Sequence, residues 1–460
     1  MSKASTHSIG FSGPRTARIA DKYSIVSLSA MVFALIVSPL VLFFDPPAHS
    51  LQGIMEGRWE NRIFWPATFV VSLALAARNY SRLTRLAWSP HIICLLAYLA
   101  FAGASVLWAF KPDLSFIRYV QQLMIVTSIV VPAMLAAQTT DMMRGLFLCF
   151  ATAAILNLFF LLGGSPPTVV DGEIIGYPGY FPFKNYLGEC AAPTLLLAMH
   201  EMLYPGFRRF SGAVIAVIAV ILVFWANSKT ALGLALLAPV LAGAALFTRK
   251  LTRVSLAVLL WTIPICFIAI PHLFHYSLTG RIAYALTGDS TFTGREFMWF
   301  FADAEIDRRP LLGWGYLSFW LAGPDAPSIV DASGWIKTMP NAHNGYYDTM
   351  LEMGYLGLAL LLAFITATLH AIGRIAVREP RRAWLILSLA LFIILYNFLE
   401  SIWMQGFEFL WVMFLILAAE IGLRLRPVPV TGTAHRSRAP RQGAPAPPLI
   451  GLRPGPRIPT

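Results

Sequence analysis

Charge is what this sequence has least of. Asp, Glu, Lys and Arg make up 13% of its 460 residues, where soluble globular chains carry about 25%. So few charges cannot clothe a water-soluble globule of this size. With 57% hydrophobic residues, the solvent for most of the surface is expected to be lipid. Acid is scarcer than base, with 23 Asp and Glu against 35 Lys and Arg. The resulting net charge of +12 would suit a nucleic-acid partner if the basic residues clustered. They sit instead singly or in small groups between apolar runs, and no RNA- or DNA-reading module is visible, so no nucleic-acid partner is expected. Cysteine is rare too. Cys94, Cys149, Cys190 and Cys266 all fall inside apolar runs, with no C-x-x-C pair and no metal spacing, which leaves them as small packed side chains. The N-terminus also makes a poor cleavable signal and none is expected, because about twenty polar residues precede a first apolar run that is already of full spanning length.

What is present is a series of long apolar runs. Ser24–Phe44, His91–Phe110, Val254–Pro271 and Ala383–Leu399 are each near the ~20 residues that a bilayer core requires. About twelve spans are expected, at 24–44, 63–78, 91–110, 116–137, 144–163, 185–203, 210–226, 230–247, 254–272, 345–369, 383–399 and 407–423. The fold class is therefore an all-α polytopic membrane protein. It divides into an N-terminal tail (1–23), nine helices (24–272), one long loop (273–343), three more helices (344–424) and a Pro/Arg-rich, disordered tail (425–460).

Lys and Arg set the orientation. With the N-terminus inside, the inner segments hold 24 of the 35 basic residues, so both termini are expected in the cytoplasm. Trp59, Trp65, Trp108, Trp225 and Trp403 then fall near outer boundaries, where amphipathic rings anchor at the headgroups. The 273–343 loop lies on the outer face, and loops of that length tend to carry function.

Two stretches there bear chemistry. Thr293-Gly-Arg-Glu296 has Ser/Thr and Glu at capping-box spacing, so a helix is expected to start here and run to Arg309, before Pro310. Arg295 in its first turn joins a guanidinium fork to the positive end of a helix, which suits phosphate. Phe297-Met-Trp-Phe-Phe301 is too apolar for a solvated surface helix and is expected in the headgroup layer or against the bundle. In Asn341-Ala-His-Asn344, His343 stands at the membrane boundary and can accept a proton from a hydroxyl. Asp348 and Glu352 follow on one helical face, and acids within a span usually face a cavity. Lys184, Lys229 and Glu400 also fall at outer helix ends. Since the outer face should hold the fewest cations, their convergence there with Arg295 and His343 points to one outward-facing site for an anion. Arg281, in the same loop, and Asn344, beside His343, complete the candidates for binding substrate.

His343-Asn344, nine residues, then Gly354-Tyr-Leu-Gly357 resembles the H-[NSQ]-x9-G-x-x-G pattern of the bacterial O-antigen ligase and polymerase superfamily. Leu286-Thr-Gly-Asp-Ser-Thr-Phe-Thr-Gly-Arg295, Trp299 and Arg309-Pro-Leu-Leu-Gly-Trp-Gly315 resemble that family's outer-loop segment, closest to its exopolysaccharide-polymerisation branch. Lys184-Asn-Tyr-Leu-Gly188, Ser228-Lys-Thr-Ala231 and Ala104-Ser-Val-Leu-Trp108 with Arg118 are similar to further family stretches. The resemblance covers residues 90–420. It departs at Phe183, where the branch often has a histidine, so acid–base chemistry there is absent.

The resemblance implies a metal-independent glycosyltransferase, without cofactor, that takes a glycan from undecaprenyl pyrophosphate at the periplasmic face of the inner membrane. Its partners would be the lipid-linked glycan donor, a glycan acceptor, the bilayer, and as candidates a chain-length regulator and a flippase. Arg295 would hold the pyrophosphate and His343 would orient or deprotonate the acceptor hydroxyl. A repeat-unit polymerase is the leading expectation and a ligase of finished glycans the alternative. A secondary transporter, the rival from another class, lacks the internal repeats and paired broken helices it should show. A membrane O-acyltransferase using His343 ranks lower still.

Overall fold

The computed structural model describes residues 19–46, 58–84, 88–170, 172–262, 264–265 and 295–426. The apolar runs become helices: α1 (Ser24–Phe44), α2 (Trp59–Arg78), α3 (Pro90–Ser105), α4 (Pro112–Leu135), α5 (Met142–Leu162), α6 (Lys184–Met202), α7 (Phe207–Ala226), α8 (Lys229–Thr252), α9 (Arg295–Arg308), α10 (Gly345–Ile375), α11 (Pro380–Tyr396) and α12 (Phe409–Arg424). Among the described residues, seven helices are long and apolar enough to cross a membrane: α1, α3 with its 3₁₀ extension to Trp108, α4, α5, α7, α8 and α10. The other expected spans divide into three cases. α2 and α6 fill their positions but carry more charge and polar groups, and α11 and α12 are shorter, with 17 and 16 residues. Most of the expected span 254–272 lies outside the described residues, although 256–262 is helical. The N-terminal tail before residue 19, loop residues 273–294 with Arg281 and Thr293, Cys266, and the tail from 427 lie outside them as well.

The helices pack as an apolar bundle around α12, in which every residue from Phe409 to Leu423 is buried. A helix apolar on all sides belongs in the centre, and α12 lies against α4, α10, α11 and α1. α3 packs along α10, α6 along α7, and α8 along α11. Large apolar side chains on the outer helices, such as Val217, Phe224, Leu236 and Val240, are exposed, as lipid contact requires. Cys94, Cys149 and Cys190 are free thiols within α3, α5 and α6.

Prolines leave identifiable marks. Pro39 in α1 has no N–H for the Leu35 carbonyl four residues back. The helix widens into a π turn over Phe33–Val37, where Ser38 N–H reaches Phe33 O. The Leu35 carbonyl is satisfied instead by the Tyr180 hydroxyl at 2.9 Å. A polar atom freed inside the apolar bundle is thereby paired across helices, as membrane burial demands.

A small departure from the all-α expectation is an antiparallel hairpin between α5 and α6, β1 (Thr168–Val170) and β2 (Glu173–Gly176). Its sequence, Thr-Val-Val-Asp-Gly-Glu-Ile-Ile, does carry a hairpin signal: Asp-Gly flanked by β-branched residues.

The described part of the long loop, from residue 295, is docked on the bundle by backbone pairing. α10 is broken at Gly354, whose φ of 63° and ψ of −167° are reached almost solely by glycine. At the break, Trp314 N–H bonds Leu351 O (2.8 Å), Gly315 N–H bonds Glu352 O (2.8 Å) and Tyr355 N–H bonds Pro310 O (2.7 Å). A Cβ on Gly354 would stand 2.3 Å from the Leu311 carbonyl, and one on Gly313 2.5 Å from the Glu352 backbone. The glycines of Gly354-Tyr-Leu-Gly357 and Gly313-Trp-Gly315 thus include a mutually fitted pair. Helix α9 continues this unit: Met298, Ala302 and Ile306 pack with Phe319, Trp320, Ile336 and Leu351 in a second apolar core. The expected apolar stretch 297–301 is split, with Met298 buried and Phe297 and Phe300 exposed.

Gly354→Ala must therefore meet backbone strain and a steric clash together. It is expected to cost at least ~1–3 kcal/mol, seen as a lower melting temperature in detergent; an unchanged melting temperature would refute the fitted contact.

Candidate active site

At the mouth of the bundle, four chain segments meet at one carboxylate. Glu400 follows α11, Arg295 opens α9, His343 precedes α10, and Asn185 lies in the first turn of α6. Arg295 Nη2 donates to Glu400 Oε1 at 2.9 Å, and Asn185 Nδ2 donates to the same oxygen at 3.1 Å. His343 Nδ1 lies 2.8 Å from Glu400 Oε2. The Arg295 and Glu400 side chains are 18% and 15% exposed and that of His343 is 31% exposed, so the cluster is shielded without being sealed.

Local sequence explains how each member is held. Asn344 is the N-cap of α10: its side chain accepts from Tyr346 N (3.0 Å) and Tyr347 N (3.3 Å), which is what an amide at that position does best. One residue earlier, His343 takes a left-handed φ of 46°, uncommon for a residue with a Cβ, and its N–H is held by Asn341 Oδ1 at 3.0 Å. Gly345 N–H bonds the Asn397 and Glu400 carbonyls at 2.9 and 3.1 Å, fixing the Glu400 segment to the start of α10. Trp299 Nε1 donates to Ala342 O at 3.0 Å, tying α9 and hence Arg295 to the same loop.

Beneath this, Asp348 is an organiser. It is 2% exposed and accepts from Trp320 Nε1 (2.7 Å), Ala342 N (3.0 Å) and the Ser401 hydroxyl. Ser401 Oγ in turn accepts from Asn344 N at 3.1 Å. The expected acid pair beside the histidine is thereby revised. The carboxylate that touches His343 is Glu400, while Asp348 shapes the loop. Glu352, one turn on, is buried with the Asp348 charge acting on it, beside the Leu317 backbone and the Arg118 charge. It is not part of the cluster.

Lys184 and Lys229 line the neighbouring edge. Lys184 Nζ donates to Ile175 O (2.9 Å) and Asn227 O (3.2 Å), and Asn227 Nδ2 also bonds Ile175 O (3.0 Å). The hairpin end is therefore clamped to the α7–α8 junction, with one ammonium proton of Lys184 to spare. Lys229 opens α8, close enough for its charge to act on Lys184. Since Asn185 joins Lys184 to Glu400, both lysines border the cluster. Arg281 lies outside the described residues. Asn185 and Ser401, not among the sequence candidates, are single polar residues beside Lys184 and Glu400; adjacency to those ions was the only signal available.

Chemically, an ionised carboxylate accepts and cannot donate. The proton between Glu400 and His343 therefore belongs to Nδ1, which leaves the Nε2 lone pair to take a proton from another group. Arg295 spends one of its five donors on Glu400. The cluster thus offers a base and an anion-binding fork joined by one acid.

Residues 214–362 match the family model described as O-antigen ligase. That stretch is similar to the O-antigen ligase family. It contains Lys229, Arg295, His343 and Asn344 but neither Lys184 nor Glu400. The chain is also 27% identical over 295 residues to exopolysaccharide production protein ExoQ of Rhizobium meliloti (strain 1021), across 61% of this chain and 65% of that protein. The chain thus spans about two-thirds of that relative's length, and it joins an O-antigen ligase stretch to an exopolysaccharide-production relative, as the motifs had implied.

Asp348→Ala would strand the Trp320, Ala342 and Ser401 donors in a buried place. A loss of about 2–4 kcal/mol is expected, read as a lower melting temperature. A variant as stable as the parent would mean that Asp348 does not hold the loop.

Proposed function

We propose that this protein is a membrane glycosyltransferase that polymerises oligosaccharide repeat units carried on undecaprenyl pyrophosphate. The reaction takes place at the periplasmic face of the bacterial inner membrane, with both termini in the cytoplasm. The observation that carries the proposal is the shared carboxylate, which sets a base and a phosphate-binding fork side by side where a lipid-borne donor would present its headgroup.

In this scheme the acceptor hydroxyl oxygen attacks the anomeric carbon of the donor. His343 Nε2 takes the hydroxyl proton while its Nδ1–H stays on Glu400. The anomeric carbon–oxygen bond breaks, and its electron pair leaves with the pyrophosphate. Arg295 neutralises that growing charge with its remaining donors, and Lys229 and the free proton of Lys184 extend the cationic rim toward it. Asn344 acts indirectly, by setting the start of α10. Glu352 has no role in substrate binding in this scheme. A flippase would deliver the donor and a chain-length regulator would act on the product.

A ligase that transfers a finished glycan to a lipid or protein acceptor is the second reading, favoured by the description of the family matched at 214–362. Both use the same chemistry at the same site. Purified protein incubated with undecaprenyl-pyrophosphate oligosaccharide should give a ladder of products; a single transfer to another acceptor would replace the polymerase with the ligase.

Arg295→Ala and His343→Ala are each expected to lower the rate by about 10²–10³ while the protein stays folded in the membrane. Arg295→Lys should stay poor, since an ammonium cannot hold Glu400 and phosphate as a planar fork does. Glu400→Gln should lose at least as much as His343→Ala, because the amide removes the charge opposite Arg295 and leaves one accepting oxygen for the three donors of Arg295, Asn185 and His343. Normal polymer from any of the three alanine or glutamine variants would rule out the assigned roles.

A further inference from the structure

The opposite end of the bundle holds a basic corner that the transfer chemistry does not use. α12 runs from the site toward this end, and two residues past it lies Arg426. Among the described residues, its buried Nε and Nη2 have no hydrogen-bond partner, while Nη1 reaches the Ala136 carbonyl, at 3.5 Å. Arg82, exposed after α2, is the nearest charge acting on it, and it is of the same sign. Burial first, and then Arg82, bring Arg426 down to about 10. Lys22 and Arg82 both stand over the Tyr23 ring, at 5.0 and 5.8 Å.

The chain offers these cations little acid. Asp21, beside them in sequence, spends both oxygens on backbone N–H groups of Tyr23, Ser24 and Ala137. The other acids at this end form a separate network, in which Glu420, Asp141, Glu201 and Glu379 pair with Arg382, Arg424 and Arg208. The adjoining segments 1–18, 85–87 and 427–460 contain no Asp or Glu and add further Arg and Lys. Two buried guanidinium N–H groups without an acceptor are costly, and the sequence around them contributes only more positive charge.

We infer that the exposed Arg82 and Lys22, standing over the Tyr23 ring and backed by the charge of Arg426, form a binding site for the phosphate of an anionic phospholipid in the leaflet opposite the candidate active site. The chemistry fits: a guanidinium presents parallel donors to phosphate oxygens, and a tyrosine ring sits well at headgroup depth. Basic residues at a membrane surface gain about fivefold in affinity for anionic lipid per cation. By the bias of Lys and Arg this leaflet is the cytoplasmic one. The inference does not depend on the glycosyl-transfer proposal.

The test is native mass spectrometry of the full chain, released from detergent after equilibration with equal amounts of phosphatidylglycerol and phosphatidylethanolamine. One retained phosphatidylglycerol per chain is expected. The double variant Arg82→Gln/Arg426→Gln should bind it at least tenfold more weakly, whereas Arg378→Gln, an exposed arginine at the same end, should leave it unchanged. If the double variant aggregates, Arg82→Gln alone decides, since its exposed side chain can be lost without repacking; a roughly fivefold loss supports the site. Equal retention of both lipids, or undiminished phosphatidylglycerol in the variants, overturns it. So does full displacement by millimolar inorganic phosphate, which would mark a site for a free anion instead of a lipid.

Discussion

A carboxylate at the rim of an apolar bundle must be met by hydrogen-bond donors, and Glu400 has gathered a guanidinium, an imidazole and an amide. Each comes from a different part of the chain. The same contacts that stabilise the charge position the groups that can act on a substrate. Neutralising Glu400 would therefore disturb more than an ion pair, since it sets the proton on His343 and the orientation of Arg295 together.

The supporting architecture is a second level of the same logic. Membrane-embedded backbone cannot be left unpaired, so the break in α10 at Gly354 is possible only because the outer loop supplies partners for the interrupted turn. Asp348 and Glu352, one turn apart on the half-helix before the break, act on each other by charge but keep different partners. Asp348 faces Trp320, Ala342 and Ser401 and holds the His343 loop from below. Glu352 faces Arg118 and the covering loop. Helical periodicity put the two acids on one face, but the loop that closes over them decides what each one meets.

The long apolar runs made the helices legible, since a stretch such as 24–44 has no alternative solvent. The meeting of Arg295, His343 and Glu400 could be anticipated from their positions at one end of their helices, with Lys184 and Lys229 expected at that same end. The pairing could not. Nothing in the sequence says that Glu400, 57 residues after His343, is its partner in preference to Asp348, five residues away. That choice depends on where α11 ends and on Gly345 N–H capturing the Glu400 carbonyl. The hairpin at 168–176 escaped because its Asp-Gly signal is brief beside the surrounding apolar runs. Asn185 escaped because an isolated amide carries no charge to betray it.

Glu400 also lies beyond the stretch that matches the O-antigen ligase family, which ends at residue 362. During synthesis, Arg295 and His343 emerge from the ribosome well before the acid that unites them. Until α11 and the segment after it have been made, Arg295 has no Glu400 to pair with and the imidazole of His343 has no carboxylate at Nδ1. The candidate site therefore comes together late, and a chain truncated after the matched stretch would contain the recognisable motif without the carboxylate that unites it.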